Sequence, residues 1–295
     1  MSPAQHLTLP QGSRVAIVTD SASSLTPEMG ASYGIHIVPI YVMFGTQTYR
    51  DGVDLDADLF YRMLSGSKQL PTTSQPTAAD FVEAYTTLSQ QAEAIVSIHA
   101  SGRMSATVDS AQAARAQLPD VPIHVIDSRL IAVAQGLLVL TAARAAASGQ
   151  NGEEVARFTE EMISRIHIIC AMETMEYLHK GGRIGGAAAL LGSALRIKPI
   201  LHMADGQIEP LEKPRTRKRA IDRVLDLMGE RVGSSKTVHA IVMHCNVPDE
   251  AQALVERVAA RFPCQELLTM EAGPIIGTHA GPGTLGVVFY AESTA

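Results

Sequence analysis

The stretch Val15-Ala-Ile-Val-Thr19, followed by Asp20-Ser21, decides the fold. It is an unbroken, β-branched apolar run that ends in a polar pair, the pattern of a strand buried on both faces whose C-terminal end feeds a loop. Similar runs recur at Ile35 to Ile40, Ala94 to Ile98 and Ile123 to Ile126. Between the last pairs lie helical stretches that begin near Thr77 and Ser105, and this alternation predicts βαβ units around a mostly parallel sheet. Thr77 with Asp80 is a capping pair for a helix start, and Pro76 fixes its entry angle. The segment Pro71 to Pro76 then reads as a polar loop delivered to a helix N-terminus. Ile131 to Ala147 carries Gln135 and Arg144 and falls short of a membrane span, so it reads as a buried helix.

The Gly149 to Gly152 break places a boundary between two domains, 14–150 and 151–295. Beyond it, Val155, Phe158, Met162 and Ile166 share one face of a helix. A glycine-rich stretch follows at Gly181 to Gly192, then a hairpin around Ala204-Asp205-Gly206 and a basic helix from Arg215 to Val232. A strand at Val238 to Met243, a helix at Asp249 to Phe262 and a final strand at Gly286 to Tyr290 complete an α+β half. The fold class expected is therefore α/β: an N-terminal α/β/α domain with a mostly parallel sheet, joined to a second α+β domain.

The 295 residues are enough to bury a real core, and they are 46% hydrophobic but only 4% aromatic, with no Trp and 12 Met. An almost wholly aliphatic apolar share disfavours stacking on bases or sugars. With 24 basic against 30 acidic residues, the net charge of −6 offers neither nucleic acid nor anionic lipid any global attraction. Cys170, Cys245 and Cys264 are widely spaced and odd in number, which suits a reducing compartment, and Met1 to Arg14 lack the layout of a signal peptide. A cytoplasmic protein without stable membrane insertion is expected. No zinc or iron constellation emerges, since His239 and His244 are five apart on one strand and face opposite sides. His124 and His239 read as structural.

Three segments have the residue types for chemistry. Ser101-Gly-Arg-Met-Ser105-Ala-Thr107 follows a strand and opens a helix, so its hydroxyls and free N–H groups converge where anions bind; equally, Ser105 would simply cap the helix. Gly181-Gly-Arg183-Ile-Gly-Gly186 sets an arginine fork between glycine pairs, suited to a carboxylate, or else forms a turn with a solvent-facing arginine. It is no Walker A loop. Gly277-Thr-His279-Ala-Gly-Pro-Gly283 reads as a loop that holds one histidine. No Gly-x-Ser-x-Gly elbow supports a serine hydrolase.

In order, Thr19-Asp-Ser21, Thr72-Thr-Ser-Gln-Pro76, Ser101 to Thr107, Asp127-Ser128, Glu176-Tyr-Leu-His-Lys-Gly-Gly-Arg-Ile184 and His279-Ala-Gly-Pro-Gly283 resemble the DegV family, which includes the fatty-acid-binding subunits of bacterial fatty acid kinase. The resemblance implies a fatty acid held between the two domains. Its carboxylate would lie among the hydroxyls of Thr73 and Ser105, with Ser74 and Thr107 as close seconds and Arg183 and His279 as further partners. Ala106 stands where the family usually has glycine, and Val108 where an aromatic is common. The implied role is a non-enzymatic carrier that presents the carboxylate to a separate ATP-dependent kinase, with no metal or cofactor of its own. Two other classes stay open: a phosphotransferase related in fold to dihydroxyacetone kinase, with His279 or Ser105 acting covalently, and a lipid-sensing protein without a kinase partner. The basic run Lys213 to Arg219 either meets an acidic partner or is a solvated helix face.

Overall fold

The computed structural model describes residues 9–10, 12–235 and 237–292. Residues 1–8, read above for a leader, lie outside them. The strand Val15–Asp20 is buried along its whole length and is an inner strand of a four-stranded parallel sheet, in the order 35–38, 15–20, 94–99, 123–127. Its alternate residues face opposite ways, which is why the run shows no polar position. Ala16 and Val18 pack with Phe81, Tyr85, Ala111 and Ala114 of the helices Ala78–Leu88 and Thr107–Arg115. Val15 and Ile17 pack with Leu137, Leu138 and Ala142 of the helix Ala132–Ala147 on the other face.

That last helix is buried all round except near Arg144 because a second sheet covers it from the far side. The second sheet has six strands, in the order 207–212, 200–204, 167–171, 285–291, 238–244, 264–271, antiparallel except for the last pair. Ile168, Cys170, Leu201 and Met243 face inward. Ile169, Ala171, Val242 and Val287 face the helices Arg217–Val232 and Pro248–Arg261. The hairpin at Ala204-Asp205-Gly206 turns through positive φ at Asp205 (46°) and Gly206 (77°). Among the described residues, no helix is long and apolar enough to cross a membrane.

Two of the segments read as loops are corrected. The Pro71 to Pro76 segment is not simply a loop: Thr72–Ser74 forms a strand against Tyr41–Phe44 in a small antiparallel sheet, with Thr73 opposite Val42. Three residues are too few to show a periodicity. At the start of the helix Thr107–Arg115, Ser105 Oγ accepts from the Thr107 N–H at 3.4 Å, so its hydroxyl serves the helix start. The His279 segment is not a loop but the last turn of a helix, Pro274–Ala280, with Pro at its first turn and Gly281 ending it. The helix Gly152–Ile163 packs on strands Ala94–His99 and Ile123–Asp127 of the first sheet, and a Cβ at Gly152 would lie 2.5 Å from that of Ala94. The chain thus crosses to the second sheet only at His167.

Candidate functional site

The helix Pro274–Ala280 comes from the C-terminal half but is seated in the N-terminal one. Tyr61 Oη donates to the Ala272 carbonyl at 3.0 Å, Ser24 Oγ accepts from Gly273 N–H at 3.4 Å, and a Cβ at Gly277 would lie 2.5 Å from the Phe60 ring. Asp51, only 5% exposed, faces the same root: the Ser21 hydroxyl and the N–H groups of Gly52 and Ile275 reach its carboxyl, while Oδ2 has no partner. Burial pushes its pKa from 3.8 up to about 7.

At the other end of this short helix, His279 Nε2 lies 2.9 Å from Thr73 Oγ1. Its Nδ1 is buried without a hydrogen-bond partner and packs against Gly181, where a Cβ would stand 2.4 Å away. Burial, and then the nearby positive Arg183, pull the His279 pKa down to about 4, so the imidazole is neutral near pH 7. Arg183 is exposed; its Nε donates to the Met104 carbonyl at 3.3 Å and Nη1 to the Gly181 carbonyl at 2.9 Å.

Arg183 and His279 stand at an apolar cavity of about 630 Å³, part of it open to solvent. Ile131 and Met104 from the N-terminal half, and from the C-terminal half Cys170, Leu201 and Met243 of the second sheet with Met172 just past its strand, make much of its wall. The polar groups Arg183, His279 and Thr284 belong to the same cavity, so it offers aliphatic and sulfur surface for a tail and a cation for an acidic head.

The predicted residues are only partly brought together. Thr73 meets His279, and His279 shares the cavity with Arg183. Ser105 and Thr107 bond to each other at 2.8 Å through their hydroxyls; Met104, the neighbour of Ser105, touches the cavity, but neither hydroxyl residue lines it. Ser74 is exposed, opposite Tyr41 in the small sheet. In the basic run, Arg217 pairs with Glu250 at 3.0 Å, whereas Lys213, Arg215, Lys218 and Arg219 are exposed.

Other quoted motifs hold these segments in place. Asp127 accepts from the N–H groups of Gly102 and Arg129 at 3.2 and 2.9 Å and so fixes the turn before Ser105. Asp20 accepts from Ala22 N–H at 3.0 Å and meets His99 Nδ1 at 3.0 Å. His99 Nε2 lies 2.7 Å from Ser97 Oγ, which also accepts from Tyr85 Oη. That Asp-His-Ser series is fully buried and structural. Ser101 Oγ donates to the Gly206 carbonyl at 2.7 Å and so ties the two halves directly. Met104, Asp51 and this tie are absent from the residues singled out by sequence. Met104 and Ser101 lie within a quoted motif, but Asp51-Gly52 has the look of an exposed turn.

Two α/β halves clasping an apolar cavity, with an imidazole, a hydroxyl and an arginine at one end, define a class of two-lobed α/β proteins with an interlobe site. The chain belongs to the DegV family, whose model, described as one of uncharacterised proteins, matches residues 14–292. It is 36% identical over 274 residues to Protein DegV of Bacillus subtilis, covering 92% of this chain and 98% of that one. The solved structure described as fatty acid binding of a DegV family protein from Thermus thermophilus superposes with a TM-score of 0.90 at 32% identity, over 95% of this chain and all of that one. DegV from Bacillus subtilis, described as a fatty acid binding protein, gives a TM-score of 0.88 at 35% identity with the same coverage.

Proposed function

We propose that this chain carries a long-chain fatty acid, with the acyl tail in the apolar cavity and the carboxylate at its Arg183 and His279 end, and presents it to a separate ATP-dependent kinase that forms the acyl phosphate. The observation that carries this reading is one cavity with an aliphatic and sulfur-bearing wall and, at its mouth, an arginine that has no carboxylate partner among the described residues. The two solved relatives described as fatty acid binding support the ligand class. Burying a tail at about 0.8 kcal/mol per CH₂ gives a gross gain on the order of 10 kcal/mol before ordering costs. Thr73 would hold the neutral imidazole of His279 in place, and Arg183 would supply the positive charge. Ser105 and Thr107, next to Met104 of the cavity wall, would join them as further carboxylate partners.

In this reading the chain acts in the cytoplasm, needs no metal or cofactor and hydrolyses no ATP itself. Its exposed Lys213, Arg215, Lys218 and Arg219 suit an acidic partner surface. Native mass spectrometry of protein purified from bacterial cells tests the ligand: a bound mass equal to that of a fatty acid is expected. A preparation that stays empty and refuses added fatty acid overturns the carrier. Acyl phosphate formed by the purified chain with ATP and fatty acid alone would overturn the division of labour with a kinase.

A further inference from the structure

A second opening, of about 690 Å³, adjoins the apolar cavity and shares Met104, Arg183 and Ile208 with it; Arg103, Gly182 and Gln207 complete most of its lining. It brings two guanidinium groups to one mouth. Arg103 Nη1 donates to the Asp205 carbonyl at 3.0 Å, and with the Gln207 amide turned to present its oxygen, Arg103 Nε donates to it at 2.6 Å. Among the described residues, Arg183 donates only to the carbonyls of Met104 and Gly181. Among the described residues, neither arginine has a carboxylate oxygen within 4.0 Å.

Two like charges that face one opening and touch only neutral acceptors are electrostatically incomplete, and the guanidinium fork matches the oxygens of a phosphate or carboxylate. The charge count separates these two. One carboxylate is a single negative charge, for which Arg183 suffices. A phosphate monoester carries about −1.5 to −2 near neutral pH and calls for a second cation. Arg103 stands on a turn fixed by Asp127 and by the Ser101 to Gly206 bond, so its position is set before any ligand arrives. Beside it, Gly182 has φ of 69° and nothing within 4 Å of where a Cβ would be, which leaves room for a bulky head group.

We infer that this vestibule is a phosphoryl subsite, where Arg103 together with Arg183 receives the phosphate group of an acyl ligand phosphorylated at its head. It rests on the carrier reading, because the acyl tail must occupy the adjoining cavity. Hexadecyl phosphate is a stable probe for it and palmitate is the comparison, each measured by displacement of a fluorescent fatty acid.

The wild-type chain is expected to bind both. Arg103→Ala should lower the ratio of hexadecyl phosphate to palmitate affinity by about tenfold or more, the size of one lost charge-assisted contact, and Arg103→Lys should restore part of it. An unchanged ratio in Arg103→Ala overturns the subsite, including the case in which both affinities fall together through loss of a strut between the halves. A wild-type chain that binds palmitate but rejects hexadecyl phosphate also overturns it and leaves the carrier reading intact. Arg103-dependent binding of hexadecyl phosphate with no binding of palmitate would keep the subsite and overturn the carrier. Binding of neither overturns both.

Discussion

His279 and Thr73 are 206 residues apart in the chain, yet their side chains meet at 2.9 Å. One comes from the last turn of a helix in the C-terminal half and the other from a three-residue strand in the N-terminal half. The bond between them fixes the polar end of the cavity and makes it depend on how the helix Pro274–Ala280 is seated.

Removing either polar group at that end should weaken fatty acid binding without unfolding the chain. Arg183→Ala deletes a cation at the apolar cavity's mouth, and a hydrogen bond to a charged group contributes about 1.5–3 kcal/mol, so a loss of roughly ten- to a hundredfold is expected. His279→Ala should cost a similar amount, and Thr73→Val about tenfold or less. Isothermal titration calorimetry with a long-chain fatty acid checks all three, and wild-type affinities would remove the site assignment.

Gly181 is needed for space rather than for backbone freedom. Its φ is −77°, which any residue adopts, but an added Cβ would lie 2.4 Å from His279 Nδ1 and 2.9 Å from the Tyr177 carbonyl. Gly181→Ala should therefore displace the imidazole from Thr73 and cut ligand affinity at least as much as Thr73→Val, with a melting temperature lower by only a few degrees, as for about 1 kcal/mol of local strain. Unchanged affinity would show that the His279 position does not matter for binding.

Asp51 should contribute a stability that falls as pH rises. Its pKa is 3.8 when exposed and about 7 in the folded chain, so the unfolded state ionises first. The associated stability is complete below about pH 4 and is lost as pH rises toward 7, by up to roughly 4 kcal/mol. His279 works in the opposite sense: its folded pKa of about 4 is below the ordinary 6.5, so its contribution is present above 6.5 and lost as pH falls to 4. In Asp51→Asn the first slope should vanish, leaving stability that rises with pH between 4 and 6.5. Urea unfolding at a series of pH values checks this, and identical profiles for the two proteins would mean that Asp51 is not protonated in the folded chain.

Ser101→Ala removes the buried bond to the Gly206 carbonyl that joins the halves. The expected cost is about 1 kcal/mol. Amide exchange should quicken in the hairpin around Asp205 and Gly206 more than in the strand Val15–Asp20. Uniform quickening would instead mean that the bond contributes only to global stability.

The central sheet is legible in the sequence because a strand buried on both faces must be apolar at every position, and Val15-Ala-Ile-Val-Thr19 shows it without help from any neighbour. The strand Cys264–Glu271 escapes the same reading: it lies at an edge of the second sheet, is mostly half-exposed and mixes Gln, Glu and Thr with Leu and Met. His167–Ala171 is inner and buried, but it directly follows Ile166, which keeps the helical spacing of Val155, Phe158 and Met162 although the helix itself ends at Ile163, so its apolar run merges with the helical pattern. The helix Pro274–Ala280 is disguised by the poor helix formers Gly277 and Thr278; at Gly277, Phe60 and Tyr61 leave no room for a side chain.

By itself the sequence determines which groups are available: two arginines in glycine-bearing turns, hydroxyls ahead of a helix, one histidine near a Gly-Pro-Gly stretch, and an aliphatic surplus with almost no aromatics. These follow from residue type and local spacing, which act over a few residues. Only the tertiary structure decides that Thr73 and His279 meet, that Ser105 turns to Thr107, that Asp51 is buried and that Arg103 shares an opening with Arg183. Each of these depends on the seating of one half against the other. That seating is set by side-chain volume at close contacts such as Gly181 with His279 and Gly277 with Phe60, and by the buried bonds from Ser101 and Tyr61, none of which leaves a period in the chain.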